Sequence, residues 1–235
     1  MRCLSRWMLV LGVAALMVSP ALAQQRGRGG RGGFGPAGLI NMEPVQKELK
    51  LSEEQVTKAK ETVQSVREKF NDERAKLNDL EGQERFQKAA ELGQKEADET
   101  YTELAKDWKP EQIKRLKQLG VQISGLQAFM NPSVVKALKL TDEQKEKITA
   151  LNGEQREEMQ NMFSNGGGGD PAEMQKKMAT MRKEFLTKAV AVLTDDQKKE
   201  WKEQTGDPFE FPAQAGFGGR GKGKRNKDKD KDSEF

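Results

Sequence analysis

The chain contains no histidine. That removes the commonest general base and the commonest transition-metal ligand together. Its one cysteine, Cys3, sits near the N-terminus without a lipobox around it. Ser-His-Asp and Cys-His catalysis are therefore excluded. A phosphate-binding loop is missing as well. The Gly166–Gly169 run lacks a following Lys-Ser/Thr and a preceding strand pattern. Apolar residues are sparse, 34% against 33% charged, so helices made from this chain should bury narrow stripes and leave broad solvated faces. No two-residue alternation competes with a helical reading.

One apolar run, Met8 to Val18, is preceded by Arg2 and Arg6 and followed by Ala21-Leu22-Ala23. Residues 1–23 thus read as a secretory signal, too short for a membrane span. Export across the inner membrane to a periplasmic or extracellular location is expected, with no transmembrane anchor. A mature chain beginning near Gln24 would hold no cysteine, so packing alone would stabilise it.

The net charge of +4 is unevenly placed. The signal carries +2, residues 24–38 carry +3 through Arg26, Arg28 and Arg31, and residues 216–235 carry +3, which leaves −4 for 39–215. Residues 24–38, an Arg-Gly-Gly-like leader, and the Lys/Asp/Gly-rich tail 213–235 cannot bury enough surface to fold and are expected to be disordered. The leader also resembles nucleic-acid-binding tails, but a solubilising tether is the preferred reading and no specific nucleic acid is expected.

What the chain does have is a repeated five-residue box. Leu140-Thr141-Asp142-Glu143-Gln144 recurs as Leu51-Ser52-Glu53-Glu54-Gln55 and as Leu193-Thr194-Asp195-Asp196-Gln197. A looser copy is Trp108-Lys109-Pro110-Glu111-Gln112. Each reads as a helix start. Ser52, Thr141 and Thr194 are N-caps, while Gln55, Gln144 and Gln197 reach back to close a capping box. Pro110 suits the first helical position, with Gln112 as the return partner. Hydrophobic staples are expected for Leu51 with Val56 and Trp108 with Ile113.

Apolar spacing predicts one helix from Ser52 to near Gly82, a second over 84–105 with Phe86, Ala90, Ala97, Tyr101 and Leu104 on one side, and a third from Pro110 to Asn131. The pattern then restarts: Val45, Leu49, Leu51 and Gln55 match Val134, Leu138, Leu140 and Gln144 at a constant spacing of 89. This reads as a tandem duplication with units 39–130 and 131–212. The second unit has a long helix, a break at 165–171, a return helix and a short last helix that turns Trp201 inward. Phe209 and Phe211 are expected to fold back on the bundle. The expected fold is all-α, an elongated bundle of amphipathic helical hairpins in two units, coiled-coil-like in its packing.

Met159, Met162, Met174, Met178 and Met181 flank the glycine break. Three readings exist: core filling at helical spacing, an adaptable surface for varied clients together with Phe163, and a thioether site for Cu(I). Packing is the preferred one. Carboxylate pairs such as Glu157 with Glu158 and Asp195 with Asp196 read as solvated faces or first-turn acids, so no catalytic residue, cofactor or metal is expected.

The boxes at helix starts of a histidine-free exported chain resemble those of the LTxxQ-motif family of bacterial periplasmic helical proteins, the Spy/CpxP-like group. The resemblance implies helical-hairpin cradles, usually homodimeric, some of which hold unfolded clients on a concave face. It implies a non-enzymatic holdase chaperone or stress-linked adaptor for unfolded or membrane-associated client proteins. The duplication within one chain suggests a monomer that mimics the family's dimer, or else a homodimer. The alternative is an architectural envelope protein whose basic ends bind an anionic polymer or surface. A metal sensor ranks third, and an enzyme last.

Overall fold

A computed structural model describes residues 35–166 and 170–211. The expected signal 1–23, most of the expected leader and the tail 213–235 lie outside the described residues. The described chain is all-α: α1 (Pro36–Ile40), α2 (Glu43–Glu48), α3 (Glu53–Lys69), α4 (Asn71–Lys76), α5 (Gly82–Leu104), α6 (Pro110–Ser124), α7 (Pro132–Leu138), α8 (Asp142–Gly166), α9 (Pro171–Ala191) and α10 (Asp195–Thr205). Two 3₁₀ turns, Leu77–Asp79 and Gly125–Met130, complete the order. No strand occurs among the described residues, and none of their helices is long and apolar enough to cross a membrane.

Three expectations need correction. The leader ends earlier than residue 38, because Pro36–Ile40 form α1, with Pro36, Leu39 and Ile40 buried. The predicted helix 52–82 breaks at Phe70 (φ −99, ψ 10). Phe70 turns in to a small core with Val66, Leu92 and Leu77, whereas α4, Asn-Asp-Glu-Arg-Ala-Lys, buries nothing. With no apolar residue at helical spacing between Phe70 and Leu77, packing cannot hold a continuous helix there. The predicted helix 110–131 also ends early, at Gly125, whose φ of 54 suits glycine. The following 3₁₀ turn superposes residues three apart and so buries Leu126 and Phe129 on one side.

Two larger cores lie beyond that satellite. One gathers Leu39, Ile40, Val45, Leu49, Ala59, Val63, Leu104, Trp108, Ile113, Leu116 and Leu119, and Phe209 and Phe211, distant in sequence, pack against it. The other holds Val134, Leu138, Leu140, Ile148, Met178, Met181, Phe185, Ala189, Leu193 and Trp201. Leu126, Ala128 and Phe129 join this second core although they precede residue 131. Trp201 turns inward and stacks on Phe129, ring centroids 4.3 Å apart.

Helix α6 serves both cores. Ile113, Leu116 and Leu119 fill the first. Its polar side holds the end of α10 and the residues after it: Gln118 donates to the Glu203 carbonyl at 2.9 Å, Gln122 to those of Thr205 (2.6 Å) and Asp207 (2.7 Å), and Arg115 to that of Asp207 (2.9 Å). The Phe209 N–H donates back to Gln122 Oε1 at 2.9 Å.

Candidate functional site

Each box begins a helix by the chemistry its residues allow. Ser52 Oγ accepts from the Gln55 N–H (3.1 Å), Thr141 Oγ1 from the Gln144 N–H (3.2 Å) and Thr194 Oγ1 from the Gln197 N–H (3.3 Å). The glutamine oxygens accept in return from the N–H groups of Ser52, Lys109, Thr141 and Thr194 at 2.9–3.1 Å. Pro110 is the first residue of α6, where the lysine before it provides only the backbone half of the box. Of the two expected staples, Trp108 and Ile113 share the first core, while Val56 stays outside it.

The structure adds what the boxes alone did not reveal: they work in pairs. Gln144 Nε2 donates to Gln197 Oε1 at 2.7 Å, and Gln197 Nε2 donates to Gln144 Oε1 at 2.9 Å. Each amide also donates to a backbone carbonyl of the other arm of the pair, Gln144 to Val192 (3.0 Å) and Gln197 to Leu138 (3.0 Å). Every donor and acceptor of the two side chains is thereby used. The N-terminal half repeats this with one cross-bond. Gln55 donates to Gln112 Oε1 at 3.3 Å, and Gln112 donates to the Leu49 carbonyl at 3.0 Å. The signal available in the sequence was the glutamine itself, since a cap needs only an acceptor and glutamine brings two further donors.

The preceding turns also correspond at the spacing of 89. Lys50 and Lys139 are both left-handed, with φ 51 and 50. The Leu51 N–H donates to the Gln46 carbonyl (3.0 Å), as the Leu140 N–H does to that of Val135 (3.2 Å). These are matching Schellman-type helix ends, built twice with a non-glycine residue. An open groove of about 610 Å³ lies over the second pair, lined by Thr141, Gln144, Lys147, Val192, Thr194 and Gln197. Its amides are occupied by each other. Lys145 and Lys147 hold the carboxyls of Asp142 and Glu143 below the usual range, so these first-turn acids stay ionised and match the helix dipole.

The methionine-rich hairpin of α8 and α9 divides along its length. Met178 and Met181 are buried with Phe185, which corrects their assignment as client-contact residues. Met159, Met162 and Met174 are partly buried against that core, and Phe163 is 49% exposed. In α5 the expected inward face is also corrected. Phe86 is 68% exposed and Ala90 is exposed, while Leu92 is buried. Among the described residues no three acidic side chains gather in a way that would hold a metal ion. No protein-family model, no curated protein and no solved structure matches the chain.

Proposed function

We propose that this is a non-enzymatic exported envelope protein of the LTxxQ type, acting as a holdase or stress-linked adaptor. The observation that carries the reading is the outer part of the α8–α9 hairpin. Phe163 is half-exposed beside the partly buried Met159, Met162 and Met174, while Met178 and Met181 anchor the same hairpin in the core. Thioether side chains adapt to varied apolar partners, and a rim of Lys and Glu draws flexible chains in without fixing them. The paired glutamine boxes support the same reading, because they brace the ends of the helices that carry this surface.

The test is suppression of aggregation of a thermally unfolding client by the purified protein at low and at high salt. Suppression near stoichiometric ratio that survives high salt supports apolar holding. Suppression that disappears at high salt and on removal of residues 24–34 and 213–235 favours the architectural reading, in which basic ends bind an anionic surface. No suppression at large excess overturns the holdase role.

A further inference from the structure

The α8–α9 hairpin has its own choice of apolar residue. Between Leu151 and Leu186 the sequence holds no Leu, Ile or Val, and five methionines stand where such side chains would pack. Met159, Met162 and Phe163 share one face of α8 at spacings of three and four. Met174, Met178, Met181 and Phe185 share one face of α9.

Exposure divides these thioethers. Met178 is 3% exposed and Met181 5%, whereas Met159, Met162 and Met174 are only partly buried against the same core. Within 152–177, the described apolar side chains that pack on that core are Met159, Met162 and Met174. The outer half of the hairpin thus takes its contact with the core from three thioethers. No thiol occurs among the described residues, and Trp108 and Trp201 are buried. Thioethers are then the groups that a peroxide reaches first.

We infer that Met159, Met162 and Met174 form a reversible oxidation site for peroxides, and that their modification opens the outer half of the hairpin. In the step with hydrogen peroxide, the sulfur lone pair takes one oxygen as the O–O bond breaks. The proton on that oxygen moves to the leaving hydroxide, which departs as water. Sulfur loses two electrons and the peroxide gains them. Each sulfoxide sets a polar oxygen where an apolar side chain packed. Burying a polar group without a partner is unfavourable, so the modified side chain moves to solvent. No Leu, Ile or Val is present to take over the contact. Met178 and Met181 stay shielded and keep the inner half closed. A methionine sulfoxide reductase reverses the step, with the oxygen released as water and a pair of thiols oxidised to a disulfide.

The experiment treats the full chain, with Cys3→Ser, with limiting hydrogen peroxide and maps the product by peptide mass spectrometry. Met159, Met162 and Met174 should be modified at least about fivefold faster than Met178 and Met181. Trypsin should then cut after Arg156, Lys176 and Lys177, exposed residues of the hairpin, at least about fivefold faster than in the untreated chain. The rate after Lys60 of α3 should not change. Methionine sulfoxide reductase with dithiothreitol should restore the slow cleavage. The variant Met159→Leu, Met162→Leu, Met174→Leu, of similar side-chain volume, should stay closed at the same peroxide dose. Met130→Leu, at a methionine 51% exposed outside the hairpin, should give no such protection. Client holding enters none of these readouts. Modification of Met178 and Met181 as fast as the other three overturns the inference. So does an oxidised chain cut at the untreated rate, or a leucine variant that peroxide opens as it does the parent protein.

Discussion

Glutamine at the fourth position after the box leucine does more than cap a helix. In Gln144 and Gln197 the amide oxygen closes the box and the amide nitrogen crosses to the other helix start. Replacing Gln144 by Ala leaves the Thr141 N–H and the Val192 carbonyl without their partner. A loss of about 1–3 kcal/mol is expected, read from urea unfolding. The double variant with Gln197→Ala should lose less than the sum of the single losses, by about 0.5 kcal/mol or more, because the two share bonds. Lys50→Gly and Lys139→Gly should each raise stability by up to about 1 kcal/mol, since an L-residue at φ near 50 is strained and the glycine entropy cost offsets only part of the relief. Tyr101 offers a pH test. Burial, with Asp98 nearby, pushes its phenol well above the ordinary value near 10. The unfolded chain then loses this proton first as pH rises, so stability falls above about pH 10. As the sole tyrosine, it should show a phenolate absorbance that rises only as the protein unfolds. At this scale the caps were legible because Ser, Thr and Gln have short-range chemistry. The amide pairs were not, because residues 53 or 57 apart meet only after folding.

The elements were legible where apolar spacing was regular. Helix α9 and the inward Trp201 follow from it directly. The break at Phe70 and the 3₁₀ turn at Gly125–Met130 were missed because both answer to neighbours distant in sequence, Leu92 for the first and Trp201 for the second. Phe86 was placed inward because its spacing continues the stripe of Leu104, yet of that stripe Leu104 joins the first core with Leu39 and Ile40 while Phe86 stays exposed. Trp201→Ala should cost about 3–5 kcal/mol, as expected for a buried aromatic stacked on another. Gly206→Ala should also destabilise, because φ is 62 and a Cβ there would stand 2.3 Å from Gln118 Oε1. Thermal unfolding midpoints of both variants check these values. The surface ion pairs, such as Lys47 with Glu43, are too exposed to decide element stability.

At the scale of the whole molecule, α6 ties the two large cores to residues 203–209. Its apolar side fills the first core and its polar side receives 203–209. Unfolding of the described region is therefore expected as a single transition, with tryptophan fluorescence and far-ultraviolet circular dichroism changing together. The all-α class was legible from composition and spacing alone. Which apolar residues stay outside the core was not, because narrow stripes of the same residue types serve packing and surface alike, as Met178 and Phe163 show on one hairpin. The most direct measurement is therefore aggregation suppression by the protein and by a variant carrying Met159→Ser, Met162→Ser, Phe163→Ser and Met174→Ser, at matched helicity. A loss of most of the activity in the variant, with Phe86→Glu retaining it, is the predicted result. Equal suppression by the variant and the parent protein would contradict a client surface on the α8–α9 hairpin.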